Sequence, residues 1–222
     1  MKEKVTVDVI KKLPMVRSFI EFGNEHLGAL GYTEHSFRHA GLVASISANI
    51  LERLGYPRRD SELVAIAGYL HDIGNVIARH NHGQAGALLA LQILRELEMP
   101  WHEIAMIIAA IGNHEEEYGQ PVNHIAAALI LADKSDVHRS RVRNPEVVDF
   151  DIHDRVNYAV KHSFLRVDAG RRIITLELEI DSAISGVMEY FEIFLTRMVM
   201  CRRAAAALDC AFSLVINGTK LL

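Results

Sequence analysis

The sequence predicts a mainly α-helical protein carrying a small C-terminal antiparallel β-β-α-β addition. The prediction rests on three features. Through Asp133, apolar residues recur at helical spacing in segments of moderate length, separated by short loops and without any strand pattern. After about Arg155 the period shortens towards two, in segments rich in aromatic and β-branched residues. One further helical stretch then separates that pattern from a last apolar run, CAFSLVI.

Val5 to Leu30 mixes charged and apolar residues at helical spacing, and Pro14 divides it into a short first helix and a longer second one. Gly31 marks a turn. The third helix runs from a Thr33 cap to a stop at Gly55, with Val43, Ile46, Ile50 and Leu54 as its apolar stripe. After the loop GYPRRD, Asp60 caps a helix whose body LVAIAGYL runs into HDIGN, where Gly74 ends it in a left-handed conformation. Further helices run from near His82 to near Glu98, from about Trp101 to Gly112, and from about Asn123 through HIAAALILAD. YAVKHSFLRVD and RRIITLELEID form a hairpin around Ala169 and Gly170, the 183–209 segment is a helix, and CAFSLVI closes the sheet. A hairpin alone is marginal, whereas a third strand with a helix laid across one face makes a viable layer. The reading therefore divides the chain into residues 1–150 and 151–222.

Composition narrows the function. The 222 residues include 28 acidic and 24 basic ones, for a net charge of −4, which argues against a general nucleic-acid coat. Cys201 and Cys210 suggest neither a disulfide framework nor a cysteine metal knuckle. No signal-peptide pattern and no membrane-length apolar run is present, so the expected compartment is the cytoplasm. The unusual quantity is histidine, of which there are twelve.

Their positions carry the argument. His39 shares the stripe of Val43, Ile46 and Ile50, and His71-Asp72 ends an apolar helix. His82 leads the stripe of Ala85, Leu89 and Ile93, and His114 extends that of Ile104, Ile107 and Ile111. Asp133 shares a face with Ala126, Leu129 and Ile130, where a carboxylate is costly unless paired or bound to a cation. Singly, each has a bland reading: a satisfied core histidine, a helix-end residue, or an aspartate paired with Arg139. Together, His39, His71, Asp72, His82, His114 and Asp133 can direct six nitrogen and oxygen ligands into one core. Such ligands suit Fe or Mn, with Zn, Co or Ni as alternatives. Two aspartates bring a charge of about −2, so two divalent ions would leave about +2, a field that suits a bound phosphate.

HAGLVASISANILERLG, HDIGN and ILADKSD resemble the metal-dependent phosphohydrolases of the HD superfamily, over roughly residues 33–140. The resemblance implies an HD-type helical bundle, with His39, His71, Asp72 and Asp133 as primary metal ligands. HGQAGALLA and AIGNH resemble, more closely, the bacterial symmetrical dinucleoside tetraphosphate hydrolases of that superfamily. That resemblance implies His82 and His114 as ligands of a second ion, Asp72 as a bridge, and Arg139, six residues after Asp133, as a phosphate contact. Read from its own surroundings, Arg139 is equally a salt bridge in a solvated turn. His35 lies on roughly the same face as His39 and competes for the first position, but His39 sits directly on the apolar stripe. HDIGN has Asn75 where many members place lysine, and the β-containing tail is not part of the tetraphosphate hydrolase pattern.

The expected function is hydrolysis of a phosphate ester or phosphoanhydride by metal-activated water, with Asp72, His82 and His114 in the catalytic centre. The substrate would be a phosphorylated small molecule or nucleotide, with neither membrane nor nucleic acid as partner, and a homodimer could form through an open strand edge. Glu115, Glu116 and Glu117 would disfavour a polyanion if they faced the pocket, and otherwise read as a hydrated loop. Two alternatives stay open: oxidative chemistry at a di-iron centre, and a metal-bound regulatory or interaction module.

Overall fold

The computed structural model describes residues 4–144 and 151–222. Pro14 separates α1 (Val7–Lys12) from α2 (Pro14–Ala29) by occupying the first turn of α2, where its missing N–H costs nothing. α3 (Phe37–Arg53) starts later than expected. Ser36, not Thr33, is its cap, accepting from the Arg38 N–H, while Gly55 at φ +82° ends it as expected. α4 (Arg58–Leu70) begins directly behind Pro57, so Asp60 lies inside its first turn.

The HDIGN turn departs from the sequence reading in a way that matters for the site. The chain continues from α4 into a 3-10 segment, Ile73–Val76, and Gly74 is not in the left-handed region. Its missing side chain serves a close approach instead. A Cβ there would lie 2.0 Å from the His82 carbonyl oxygen and 2.5 Å from the Gly86 nitrogen. The turn thus rests directly on the first turns of α5 (His82–Glu96).

α6 (Trp101–Gly112) follows, and then α7 (His124–Ser135), capped by Asn123. HIAAALILAD is apolar on all sides, and residues 125–135 are all buried. Such a helix belongs in the middle of a core, and α7 packs against α3, α4, α6 and α9. α8 (Ile152–Ala159) was not anticipated; it is only eight residues long and runs straight into the first strand. The domain boundary expected near residue 150 falls outside the described residues.

β1 (Val160–Asp168) and β2 (Ile173–Ile180) form the expected antiparallel hairpin, and α9 (Val187–Ala207) leads to β3 (Ala211–Ile216). The β-β-α-β order is as read, but β3 pairs with β2 in parallel, Ile173 opposite Ala211. A helix between two neighbouring strands returns the chain to the starting end of the sheet, so the second strand runs the same way as the first. Asn217 and Gly218, both at positive φ, turn the chain into a short β4 (Thr219–Lys220), giving the order β1-β2-β3-β4. At the β1 edge, the Lys161 carbonyl and the Ser163 hydroxyl already bond to His138 and Ser135. Among the described residues no helix is long and apolar enough to cross a membrane.

Candidate metal centre

Five helices meet where the polar residues of their apolar stripes converge. His39 comes from α3, His71 and Asp72 from the end of α4, His82 from the start of α5, His114 from just beyond α6, and Asp133 from α7. His39, His71 and His114 are essentially inaccessible, and His82 and Asp133 are buried.

Asp72 stands between two pairs of histidines. Its Oδ2 lies 3.1 Å from His71 Nε2 and 3.4 Å from His39 Nε2. Its Oδ1 lies 3.2 Å from His82 Nε2 and 3.8 Å from His114 Nε2. Within each pair the Nε2 atoms face one another, at 3.2 Å for His39 and His71 and 3.1 Å for His82 and His114. Asp133 Oδ1 closes the first group, 3.3 Å from His39 Nε2 and 3.6 Å from His71 Nε2.

The opposite edge of each ring shows what these nitrogens are free to do. The Nδ1 atoms of His71, His82 and His114 meet the carbonyl oxygens of Gly68, Arg79 and Ile111 at 2.7, 3.0 and 2.7 Å. A carbonyl only accepts, so each Nδ1 carries a proton and donates it, and each neutral ring presents an unprotonated Nε2 to the centre. His39 Nδ1 similarly donates to Asp136 Oδ2 at 2.7 Å. Four lone pairs and two carboxylates aimed at one point repel unless a cation sits among them. Asp72 Oδ2 is itself buried without a hydrogen-bond partner. The donor atoms of His39, His71 and Asp72 lie within 4.8 Å of one another, as do those of His71, His114 and Asp133 and those of Asp72, His82 and His114. The residues present therefore fit one or two metal ions.

Without a cation the charges balance through protons. Burial and the Arg141 charge oppose protonation of His39, but Asp133, Asp136 and Asp72 override them and raise its pKa to about 9. For His71, burial is outweighed by Asp72 and Asp133, and the pKa rises to about 10. His114 goes the other way, down to about 4, because burial and the neighbouring His71 and His82 outweigh its bond to Asp72. Burial alone would raise Asp72 and Asp133; His71 and other histidines hold Asp72 well below the carboxylate range, and Lys134 with His39 and His71 does so for Asp133.

His35 is not part of the converging set. Its Nδ1 meets the Thr33 carbonyl at 2.8 Å and its Nε2 meets Arg141 Nη2 at 2.9 Å, so both ring nitrogens are engaged away from Asp72. Arg139 lies elsewhere as well. Its guanidinium sits 5.4 Å from the Tyr158 ring centroid, and it is not among the residues lining the cavity above Asp72. The reason is backbone geometry. α7 ends at Ser135 and the chain re-forms as a 3-10 turn at Arg139–Arg141, so the six-residue interval from Asp133 does not continue a helix.

The sequence reading missed several neighbours. Asp136 is buried between Arg38 Nη2 at 2.8 Å and His39 Nδ1 at 2.7 Å; its signal was the second aspartate of ILADKSD, three residues after Asp133. Glu115 and Glu116 turn inward instead of lying in a hydrated loop. Glu115 accepts the Gly83 N–H at 2.7 Å and lies 3.3 Å from His82 Nδ1, and despite partial burial these contacts lower its pKa to about 2. Glu116 accepts from Arg197 Nε at 2.9 Å and lies 3.8 Å from Lys134 Nζ, which donates to Asp133 Oδ2 at 2.7 Å. Above the centre opens a cavity of about 960 Å³, lined by Asp72, His82, His114 and Asp133 together with Arg79, Lys134, Arg141 and Arg197.

Comparison with known proteins adds three findings. The HD domain family matches residues 34–159, more than half of the chain. "Uncharacterized protein MJ1020" of Methanocaldococcus jannaschii is 29% identical over 175 residues, covering 68% of this chain and 66% of that protein, just under two thirds of its length. A solved structure described as a predicted HD superfamily hydrolase, from an uncultured Thermotogales bacterium, is 21% identical over 59% of this chain and 73% of its own, with a TM-score of 0.43.

Proposed function

The chain belongs to the HD domain family, and from that membership and the converging ligands we propose that it is a metal-dependent phosphohydrolase acting on a phosphate ester or phosphoanhydride. The observation that carries the reading is Asp72, whose two oxygens face two separate histidine pairs. His39, His71, Asp133 and Asp72 Oδ2 would hold one ion, and His82, His114 and Asp72 Oδ1 a second, with Asp72 as the bridge. A divalent ion bound there supplies Lewis acidity, lowering the pKa of water and drawing charge from phosphoryl oxygens.

The protein's own part is orientation and charge. Asp136 and three backbone carbonyls set the four imidazole planes. Glu115 accepts the Gly83 N–H and lies beside His82, which fixes the start of α5 at the edge of the cavity. The volume of about 960 Å³ accommodates a nucleotide-sized substrate. The imidazole and carboxylate set favours Fe or Mn, with Zn, Co and Ni as alternatives. Cys201 and Cys210 are both free and buried, which fits a reducing compartment such as the cytoplasm.

The test is anaerobic metal analysis of chelator-free protein, paired with phosphate release from nucleotides and phosphate monoesters. We expect about two equivalents per chain, falling to about one in His82→Ala or His114→Ala, together with Fe- or Mn-dependent release. One equivalent at most, unchanged by either replacement, would reject the second site. Metal without phosphate release, but with oxygen consumption, would move the assignment to oxidative chemistry.

A further inference from the structure

Two guanidinium groups on the cavity wall keep donors that no described residue accepts. Arg197 comes from α9, beyond the residues that match the HD domain family. Its Nε is held by Glu116 at 2.9 Å, and the group stacks 4.2 Å from the Phe194 ring centroid. Those contacts fix the plane of the fork and leave Nη1 and Nη2 without an acceptor among the described residues, although the side chain keeps 17% of its exposure. Arg79 precedes α5, and its own carbonyl receives His82 Nδ1. Its guanidinium lies 5.2 Å from the Tyr32 ring centroid and has no carboxylate partner among the described residues. Both arginines line the cavity that contains Asp72, His82 and His114.

Besides Asp72 and Asp133, the acids Glu115, Glu116, Glu117, Asp151 and Asp154 line the same cavity, and among the described residues only Glu116 pairs with either arginine. Glu115 is taken up by Gly83 and His82, and Glu116 is shared between Arg197 and Lys134. A flat fork already oriented by a stack or an ion pair loses little further freedom on binding, and its remaining parallel donors match the spacing of phosphoryl oxygens.

We propose that Arg79 and Arg197 grip the phosphoryl group of the substrate from opposite ends of the metal centre, so that α9 of the C-terminal addition completes the site. This rests on the phosphohydrolase reading and names the residues that recognise its substrate. Arg79 belongs to the His82 side, since the two share a backbone contact, and Arg197 to the Asp133 side, through Glu116 and Lys134.

The experiment titrates inorganic phosphate into metal-loaded protein by calorimetry, with metal content, melting temperature and phosphate release measured on the same samples. Arg197→Gln and Arg79→Gln should each weaken phosphate binding about 10- to 100-fold while metal content stays at the wild-type level. Arg197→Lys, which keeps the charge and loses the fork, should recover only part of the loss. Arg166→Gln, a replacement at an exposed position of β1 away from the cavity, should leave phosphate binding and metal content unchanged. Arg79 has no ion pair to break among the described residues, so Arg79→Gln keeps the test decisive if Arg197→Gln folds poorly. Wild-type affinity in both glutamine variants would overturn the clamp while leaving the phosphohydrolase reading intact. Phosphate binding that depends on both arginines, in a wild-type protein that releases no phosphate, would sustain the clamp and reject the hydrolase. A metal-loaded wild type that binds no phosphate would overturn both.

Discussion

Replacing Gly74 with alanine places a methyl carbon 2.0 Å from the His82 carbonyl oxygen, where ordinary contact begins at 3.4 Å. The turn and α5 must therefore part by about 1.4 Å, and since the obstructing atoms are backbone, no rotamer change absorbs the clash. Overpacking of a dense interior costs about 1–3 kcal/mol when side chains can adjust, so we expect about 3 kcal/mol or more here. For a chain of this size that corresponds to a fall in melting temperature of about 6–12 °C. The displacement also carries His82, whose Nε2 is 3.2 Å from Asp72 Oδ1, away from its partner. Thermal unfolding and metal analysis of Gly74→Ala should thus show a lower melting temperature and loss of about one metal equivalent. Gly41 in α3 is the control: nothing lies within 4 Å of its would-be Cβ, so Gly41→Ala should stabilise by about 0.5–1 kcal/mol. A Gly74→Ala protein that melts with the wild type and retains its full metal complement would refute the close-approach argument.

Asp136→Asn keeps the shape of the side chain but removes the charge that holds His39 Nδ1, and should lower metal affinity about 10- to 100-fold in chelator competition; an unchanged affinity would show that His39 needs no such support. Metal binding should release about two protons near pH 7, because His39 and His71 are held at about 9 and 10 and their Nε2 protons must leave. Buffers of different ionisation enthalpy would reveal that release in calorimetry, and metal affinity should climb with pH until those values are passed. The sign for stability is the reverse in metal-free protein. A folded-state pKa above the unfolded value of 6.5 contributes stability that is complete below 6.5 and is lost as pH rises through about 9–10. Melting curves of metal-free protein should therefore fall across that window, and metal-loaded protein should not share the fall.

The candidate ligands on apolar stripes are legible in the sequence. A polar residue repeating with the buried face of a helix must itself be buried, and burial of imidazole or carboxylate demands a partner, so periodicity alone marks His39, His82, His114 and Asp133. The helical core with its C-terminal β-β-α-β tail is readable for the same reason, since a pattern of apolar residues is a local property. Where neighbouring positions compete, local signals are weaker: Ser36 displaces Thr33 as cap, and the short α8 has too few residues to show a period.

The order of residues along the chain dictates which side chains enter the core and on which helix they ride. Which of them meet is a matter of packing. The two faces of Asp72 acquire their separate histidine pairs only when α5 can rest on the HDIGN turn, a contact that depends on backbone packing at Gly74 and not on any left-handed torsion there. The parallel pairing of β2 with β3 follows from where α9 returns the chain. Asp136, Glu116 and Arg197 take their roles from partners 97 and 81 residues away, and Arg139 is carried to Tyr158 by the end of a helix that its spacing from Asp133 could not foresee. Helical periodicity reports the face of one element, whereas ion pairs and close approaches depend on the relative placement of two, and that placement is settled by packing of the whole core.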